Sequence, residues 1–240
     1  MSEFNLPTEV VELPSKGLVY PEGHPLREGK VEIKYMTAKE EDILTNQSYI
    51  EKGTVLDELL KSVIVSKINI KDLIIGDKNA VLIATRVLGY GKDYSFTYLG
   101  ENYDVDLSTL ENKEFDDTYL LEGNSFAYKL PNSGIDITFK ILNGHDEIKI
   151  EKEIQGLKKI NKTASPELTT RLKHLITSVN GDTETKTIRN FVDNGLLAMD
   201  SRALRNYVKE VQPDVDLTYT TNSNQEITIP IGISFFWPDF

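Results

Sequence analysis

Between Thr37 and Val65 the chain carries two helix starts separated by one stop, and this stretch constrains the fold more than any other. Thr37 followed by Glu40 is a capping box: the threonine hydroxyl can take one orphan amide of a first turn while the glutamate reaches back to another. Gly53 and Thr54, with Asp57 three residues on, repeat the stop and the start. Val55, Leu56, Leu59, Leu60, Val63 and Ile64 recur at helical spacing. Two capped helices in succession are expected, the second with a broad apolar face. That face needs a partner surface, which the rest of the chain must supply.

The nearest candidate follows at once. Gly76-Asp77 opens a further helix with Asp77 as N-cap, running through Ala80, Val81, Ile83, Ala84, Val87 and Leu88 to Gly89. Its apolar residues lie on most sides, which predicts the most buried helix of the protein. From Asp93 the period changes from helix to strand. Residues 94–98 and 103–107 alternate around a turn at 99–102, residues 126–130 and 135–141 around Pro131-Asn132-Ser133-Gly134, and residues 217–220 and 226–229 around 221–225. The first and third of these hairpins share a layout, which predicts that they meet, side by side in one small sheet. Between the second and third, helices are expected over 146–160, from Ser165-Pro166 to Gly181, over 185–194 and from Asp200 or Ser201 to Val211.

The ends are less regular. Pro7, Pro14, Pro21 and Pro25 exclude a helix from the first 35 residues, leaving an extended arm with a short strand at Val31–Tyr35. Its apolar segment from Leu13 to Pro21 either packs on its own domain or reaches to a neighbouring subunit. At the other end, Phe235-Phe236-Trp237-Pro238-Asp239-Phe240 places four aromatics in six residues. Such a tail closes its own core, anchors in a partner subunit, or stacks on a sugar or base. The lack of flanking amides and charges weakens the last option.

Composition limits the chemistry. A formal net charge of −11 argues against a nucleic-acid partner, since phosphate binding needs clustered Lys and Arg. No apolar run approaches the ~20 residues of a membrane span. The first residues lack the basic start and apolar core of a secretory signal, so a cytoplasmic protein is expected. No cysteine is present, which removes thiolate nucleophiles and Cys-based metal sites. His24, His145 and His174 are far apart in sequence, and a metal site built from them is not expected. Gly89-Tyr90-Gly91 lacks the rest of a phosphate loop and reads as a helix C-cap with a turn. The pairs Asp104/Asp106, Asp116/Asp117 and Asp214/Asp216 read as strand and turn acids rather than as a hard-cation site. Ser15-Lys16, near Tyr20, reads as turn chemistry rather than as a serine-lysine nucleophile.

Several phrases carry a resemblance. Leu13–Pro21, Met36–Thr45, Lys52–Asp57, Gly76–Ala84, Asp200–Arg205 and Phe235–Pro238, in this order along nearly the whole chain, resemble the T4-like bacteriophage baseplate protein family of hub subunits and hub assembly proteins. Relatives in that family carry a Cys-x-x-Cys in each of the first and third hairpins, which looks like a split zinc ribbon. Tyr98–Glu101 and Thr220–Ser223 stand there in this chain, so the resemblance implies a degenerate ribbon without metal. Tyr94, Phe96, Tyr98, Tyr103 and Tyr219 are available to pack in its place.

The expected fold is therefore α+β: an extended arm (1–35), a helical body in two parts (36–92 and 143–212), β hairpins (93–142), and a third hairpin with the aromatic tail (213–240). The resemblance implies a non-enzymatic structural or assembly protein of the central baseplate of a contractile tail. It would work without cofactor, nucleic acid or membrane, in the host cytoplasm during assembly or in the virion baseplate. Its partners would be other baseplate or tail proteins, with a homo-oligomer as a further option. The contact residues expected are Leu13, Leu18 and Tyr20 in the arm and Phe235, Phe236, Trp237, Pro238 and Phe240 in the tail. The competing reading is a hydrolase with an acidic cation site using Asp104, Asp106 or His145.

Overall fold

The structure is a computed structural model that describes residues 7–160 and 165–236. The arm supplies its own first strand. β1 (Thr8–Glu12) pairs antiparallel with β2 (Lys30–Lys34), Val11 lying opposite Val31. Between them the chain folds back through Ser15–Gly17 and a 3-10 turn at Pro25–Glu28. Gly17 and Gly29 have positive φ and lie so close to the opposite backbone that a Cβ on Gly17 would sit 2.4 Å from the Arg27 carbonyl oxygen. Only glycine allows that approach.

The Thr37 capping box forms, with Thr37 N–H and Oγ1 both donating to Glu40. The helix it opens is shorter than the sequence suggests. α1 (Ala38–Leu44) stops, Asn46 caps a second start, and α2 (Gln47–Glu51) and α3 (Val55–Val63) follow. The expected pair is thus three helices, because Asn46 accepts from the Tyr49 amide and re-caps the chain. α3 buries Val55, Leu59, Leu60 and Val63 as its spacing predicts.

α4 (Ile75–Tyr90) buries half of its 16 residues, more than any other described helix. It begins two residues before Asp77, so Asp77 is the third helical residue and not the cap. Gly76 faces the chain at Pro213–Asp214, where a Cβ would lie 1.9 Å from the Pro213 carbonyl oxygen.

β3 (Asp93–Tyr98) and β4 (Glu101–Asp106) form the first hairpin, with Leu99 and Gly100 both at positive φ. That is the two-residue turn matching strand twist, tighter than the four-residue loop expected. β5 (Phe126–Lys129) and β6 (Asp136–Phe139) form the second hairpin. After α5 (Gly144–Ile160) and α6 (Glu167–Leu175) comes a strand the sequence reads as helix: β7 (Ile176–Val179) adds to β6 as a third strand. β6 has a free edge directly beside α6, and the β-branched residues Ile176, Thr177 and Val179 satisfy it. α7 (Thr185–Asn194) and α8 (Ala198–Val211) lead to the last hairpin, β8 (Thr218–Thr220) with β9 (Glu226–Thr228).

The protein is α+β, with eight helices among the described residues beside four small antiparallel sheets. The first and third hairpins do meet, but as two separate sheets. Tyr219 sets its ring edge against Phe96 and Tyr103, at centroid distances of 5.9 and 5.6 Å. Tyr94 stacks on Phe96 and meets Phe235 at 4.8 Å. Aromatic packing thus joins the hairpins; Tyr98, also a candidate for this role, is 37% exposed.

One apolar cluster runs from Val11 through α4 to Phe236, and buried acids fasten the elements around it. Glu40, Asp77, Asp146 and Asp200 each stand third in their helix, at 4% exposure or less. Each has its carboxylate on a neighbouring segment: Glu40 on Lys34 and Ser62, Asp77 on Ser15 and Tyr20, Asp146 on Lys140, Asp200 on Asn132 and Ser133. The positive end of the helix favours the anion there. Asp146, Ile150 and Ile154 lie one turn apart on the buried face of α5, so its inward stripe contains Ile150 whereas Ile148 is exposed.

Acid should loosen this fastening. Burial alone would raise the Glu40 pKa, but bonds from Lys34, Ser62 and Thr37 outweigh it and draw the carboxyl from 4.5 down to about 2. A depressed folded pKa stabilises the fold above the unfolded value and loses that contribution as pH falls from 4.5 towards 2. The loss should be on the order of 2 kcal/mol. Urea midpoints at pH 7 and pH 3 measure it, and Glu40→Gln should flatten the difference; an unchanged slope would refute the assignment.

Candidate partner-binding groove

α4 holds both the fold-back at Ser15–Tyr20 and the segment at Phe235. Near its start, Ser15 N–H and Oγ donate to Asp77 at 2.9 and 2.7 Å, and Tyr20 Oη donates to the same carboxylate at 2.6 Å. Tyr20 Oη also accepts from the Ile74 amide. Burial pushes the Asp77 pKa up, and the Tyr20 hydroxyl is raised by burial and by that neighbouring carboxylate. Near its other end Arg86, 1% exposed, donates from Nε to the Phe235 carbonyl, from Nη1 to Gly91 and from Nη2 to Asp93.

These bonds correct the expected contact residues. Leu13, Tyr20, Phe235 and Phe236 are at most 5% exposed, in the chain's own core, and Leu18 is half-buried against it. Their apolar surface is already covered, so the arm packs on its own domain and Phe235 and Phe236 close their own core. Trp237, Pro238 and Phe240 lie outside the described residues.

The acids of the hydrolase reading are engaged locally. Asp104 accepts from Ser95 Oγ, while Asp106 accepts from Lys92, which draws its carboxyl down to about 2. Asp116 and Asp216 accept from the amides two residues on, and Asp214 accepts from Asn79. His145 meets Asp72 instead, at 2.9 Å, and His24 meets the other oxygen of Asp72 at 3.2 Å. The sequence gives no sign of this His24–Asp72–His145 constellation. His24 Nδ1 accepts the Leu26 amide, which puts the ring proton on Nε2, facing Asp72. Neither nitrogen of His24 is then free to ligate a metal. Among the described residues no group of three or more His, Asp or Glu is placed to hold one.

A mainly apolar groove of about 490 Å³ lies elsewhere, with α6 and α8 as its walls. α6 presents Leu168, Leu172 and Leu175, spaced so that one helical face carries all three. α8 presents Arg205 and Val208, with Gln212 just past its end. Leu142 and Ile75, the first residue of α4, complete the apolar lining. Leu168 and Ile75 are each 44% exposed. Arg171 forks onto Glu147 with four contacts of 2.7 to 2.9 Å, and burial pushes the Glu147 carboxyl up against the pull of that arginine. Arg205 bonds only to the Ser201 carbonyl of its own helix, at 3.3 Å; no carboxylate meets it among the described residues. The site therefore offers apolar contact beside one uncompensated cation, the chemistry of a docking surface.

No family model, no curated protein and no solved structure matches this chain.

Proposed function

We propose that this chain is a structural or assembly protein of the central baseplate of a contractile phage tail, acting through contacts with other baseplate or tail proteins. The resemblance of ordered phrases from Leu13 to Pro238 supplies the family. The physical observation that carries the reading is the α6/α8 groove, whose exposed Leu168 and Ile75 and unpaired Arg205 suit a protein partner better than water. The contact surface on this reading is the groove, since the arm and Phe235–Phe236 serve the chain's own core. The place of action is the host cytoplasm during assembly, or the finished baseplate.

The test is cross-linking of a tagged chain in lysate of cells producing the particle, followed by mass spectrometry, beside the same measurement on purified particles. Tail or baseplate proteins should be captured in one sample or both, with cross-links near α6 and α8. Capture of no tail component in either sample would overturn the reading.

A further inference from the structure

We infer that the groove between α6 and α8 receives an amphipathic helix of a partner protein, one with acidic residues beside its apolar stripe. The inference deepens the assembly reading, but it concerns only what the groove binds. Leu168, Leu172 and Leu175 form an apolar ledge on one wall, and Val208 faces them from the other. Leu172 and Leu175 are its covered floor, at 3% and 8% exposure, and Leu168 is its open rim, at 44%. A helix inserted between two helical walls meets such a ledge with residues one turn apart, which is how an amphipathic helix docks in a groove.

Charge selects the partner. Arg205 stands on the α8 wall with a single backbone acceptor, and Arg171 on the α6 wall already shares its charge with Glu147. Desolvating Arg205 under a docked helix costs free energy unless an anion meets it. A carboxylate on the incoming helix supplies that anion and fixes register by a forked contact. The net charge of −11 repels an acidic partner at long range, so selectivity has to arise at contact, where Arg205 decides it.

The probe is a fluorescent peptide of about 16 residues, four helical turns, with leucines on one face and glutamates beside them. Two controls carry the same residues in shuffled order, or lysines in place of glutamates. Anisotropy should show binding of the acidic peptide alone. Arg205→Glu should weaken it about tenfold or more and shift preference to the lysine peptide. Leu168→Glu should abolish binding; both positions are exposed, and circular dichroism checks that each variant folds. Equal binding of the acidic and lysine peptides, or indifference to Arg205→Glu, overturns the inference. So does a dimer of the chain alone that Leu168→Glu dissociates, which would make a second copy the occupant. Binding of decanoate with the same Arg205 dependence, where the acidic peptide fails, also overturns it by making the site one for small amphiphiles. Failure here with tail proteins still cross-linked through other surfaces leaves the assembly reading standing; peptide binding with no tail protein captured does the reverse.

Discussion

Replacing Arg86 with methionine should destabilise the protein by about 4 kcal/mol and release the C-terminal segment from the core. Arg86 is 1% exposed and no carboxylate meets it among the described residues; its three bonds go to the carbonyls of Gly91, Asp93 and Phe235. Methionine keeps much of the volume but strands those oxygens, and an unmet buried acceptor costs about 1 to 3 kcal/mol. Part of the cost is recovered, because burial already disfavours the cation and lowers the Arg86 pKa. Lysine at this position has no planar fork to span three acceptors and should restore little. The segment 229–236 should become protease-sensitive, since Phe235 packs on Tyr94 and Phe236 and its carbonyl is the one held by Nε. Combining Arg86→Met with Phe235→Ala should cost clearly less than the sum, because each detaches the same segment. Full additivity in urea denaturation would refute the coupling. Removal of residues 235–240 should likewise loosen the body, so that truncation is not a clean test of surface contact.

The same arginine shows where the sequence was legible and where it was not. The helix over 75–90 is readable from its apolar residues on nearly every side, and its burial follows. A helix with no polar face cannot keep a lone arginine in water, so Arg86 had to be buried with partners. That signal lies in the sequence; the identity of the partners does not, because Phe235 is 149 residues away. Glu40, Asp77, Asp146 and Asp200 read as ordinary first-turn acids, and their reach to other segments depends on tertiary approach. The hairpins were legible from period and turn residues. β1 was not, since Thr8–Glu12 is short and its partner β2 lies beyond the whole fold-back at 13–29. The stripe Leu168, Leu172, Leu175 continues into Ile176 and Val179 at helical spacing, so only the free edge of β6 discriminates strand from helix there. The groove draws Ile75, Leu142, Leu168 and Val208 from four separate segments, and no local pattern joins them.

At the opposite end of α4, Asp77→Ala should cost about 3 to 4 kcal/mol and free the arm while leaving the hairpins folded. The carboxylate is fully buried and collects three donors, Ser15 N–H, Ser15 Oγ and Tyr20 Oη. Alanine strands all three at once in the core. Tyr20→Phe removes one donor and strands the Ile74 amide but leaves the carboxylate bonded to Ser15, so its cost should be smaller, about 2 kcal/mol. Hydrogen exchange should rise selectively at the amides of Ser15 and of the fold-back, with Leu13 and Val19 losing their cover. The pH dependence is opposite in sign to that of Glu40. Burial raises the Asp77 pKa, so the folded state holds this proton more tightly than the unfolded chain. That contribution is fully present below the unfolded value and falls as pH rises through the folded one. The deficit of Asp77→Ala relative to the parent should therefore grow on acidification from pH 7 to pH 4. A deficit that shrinks with acid would mean that the donors from Ser15 and Tyr20 outweigh burial and hold the Asp77 pKa below its unfolded value.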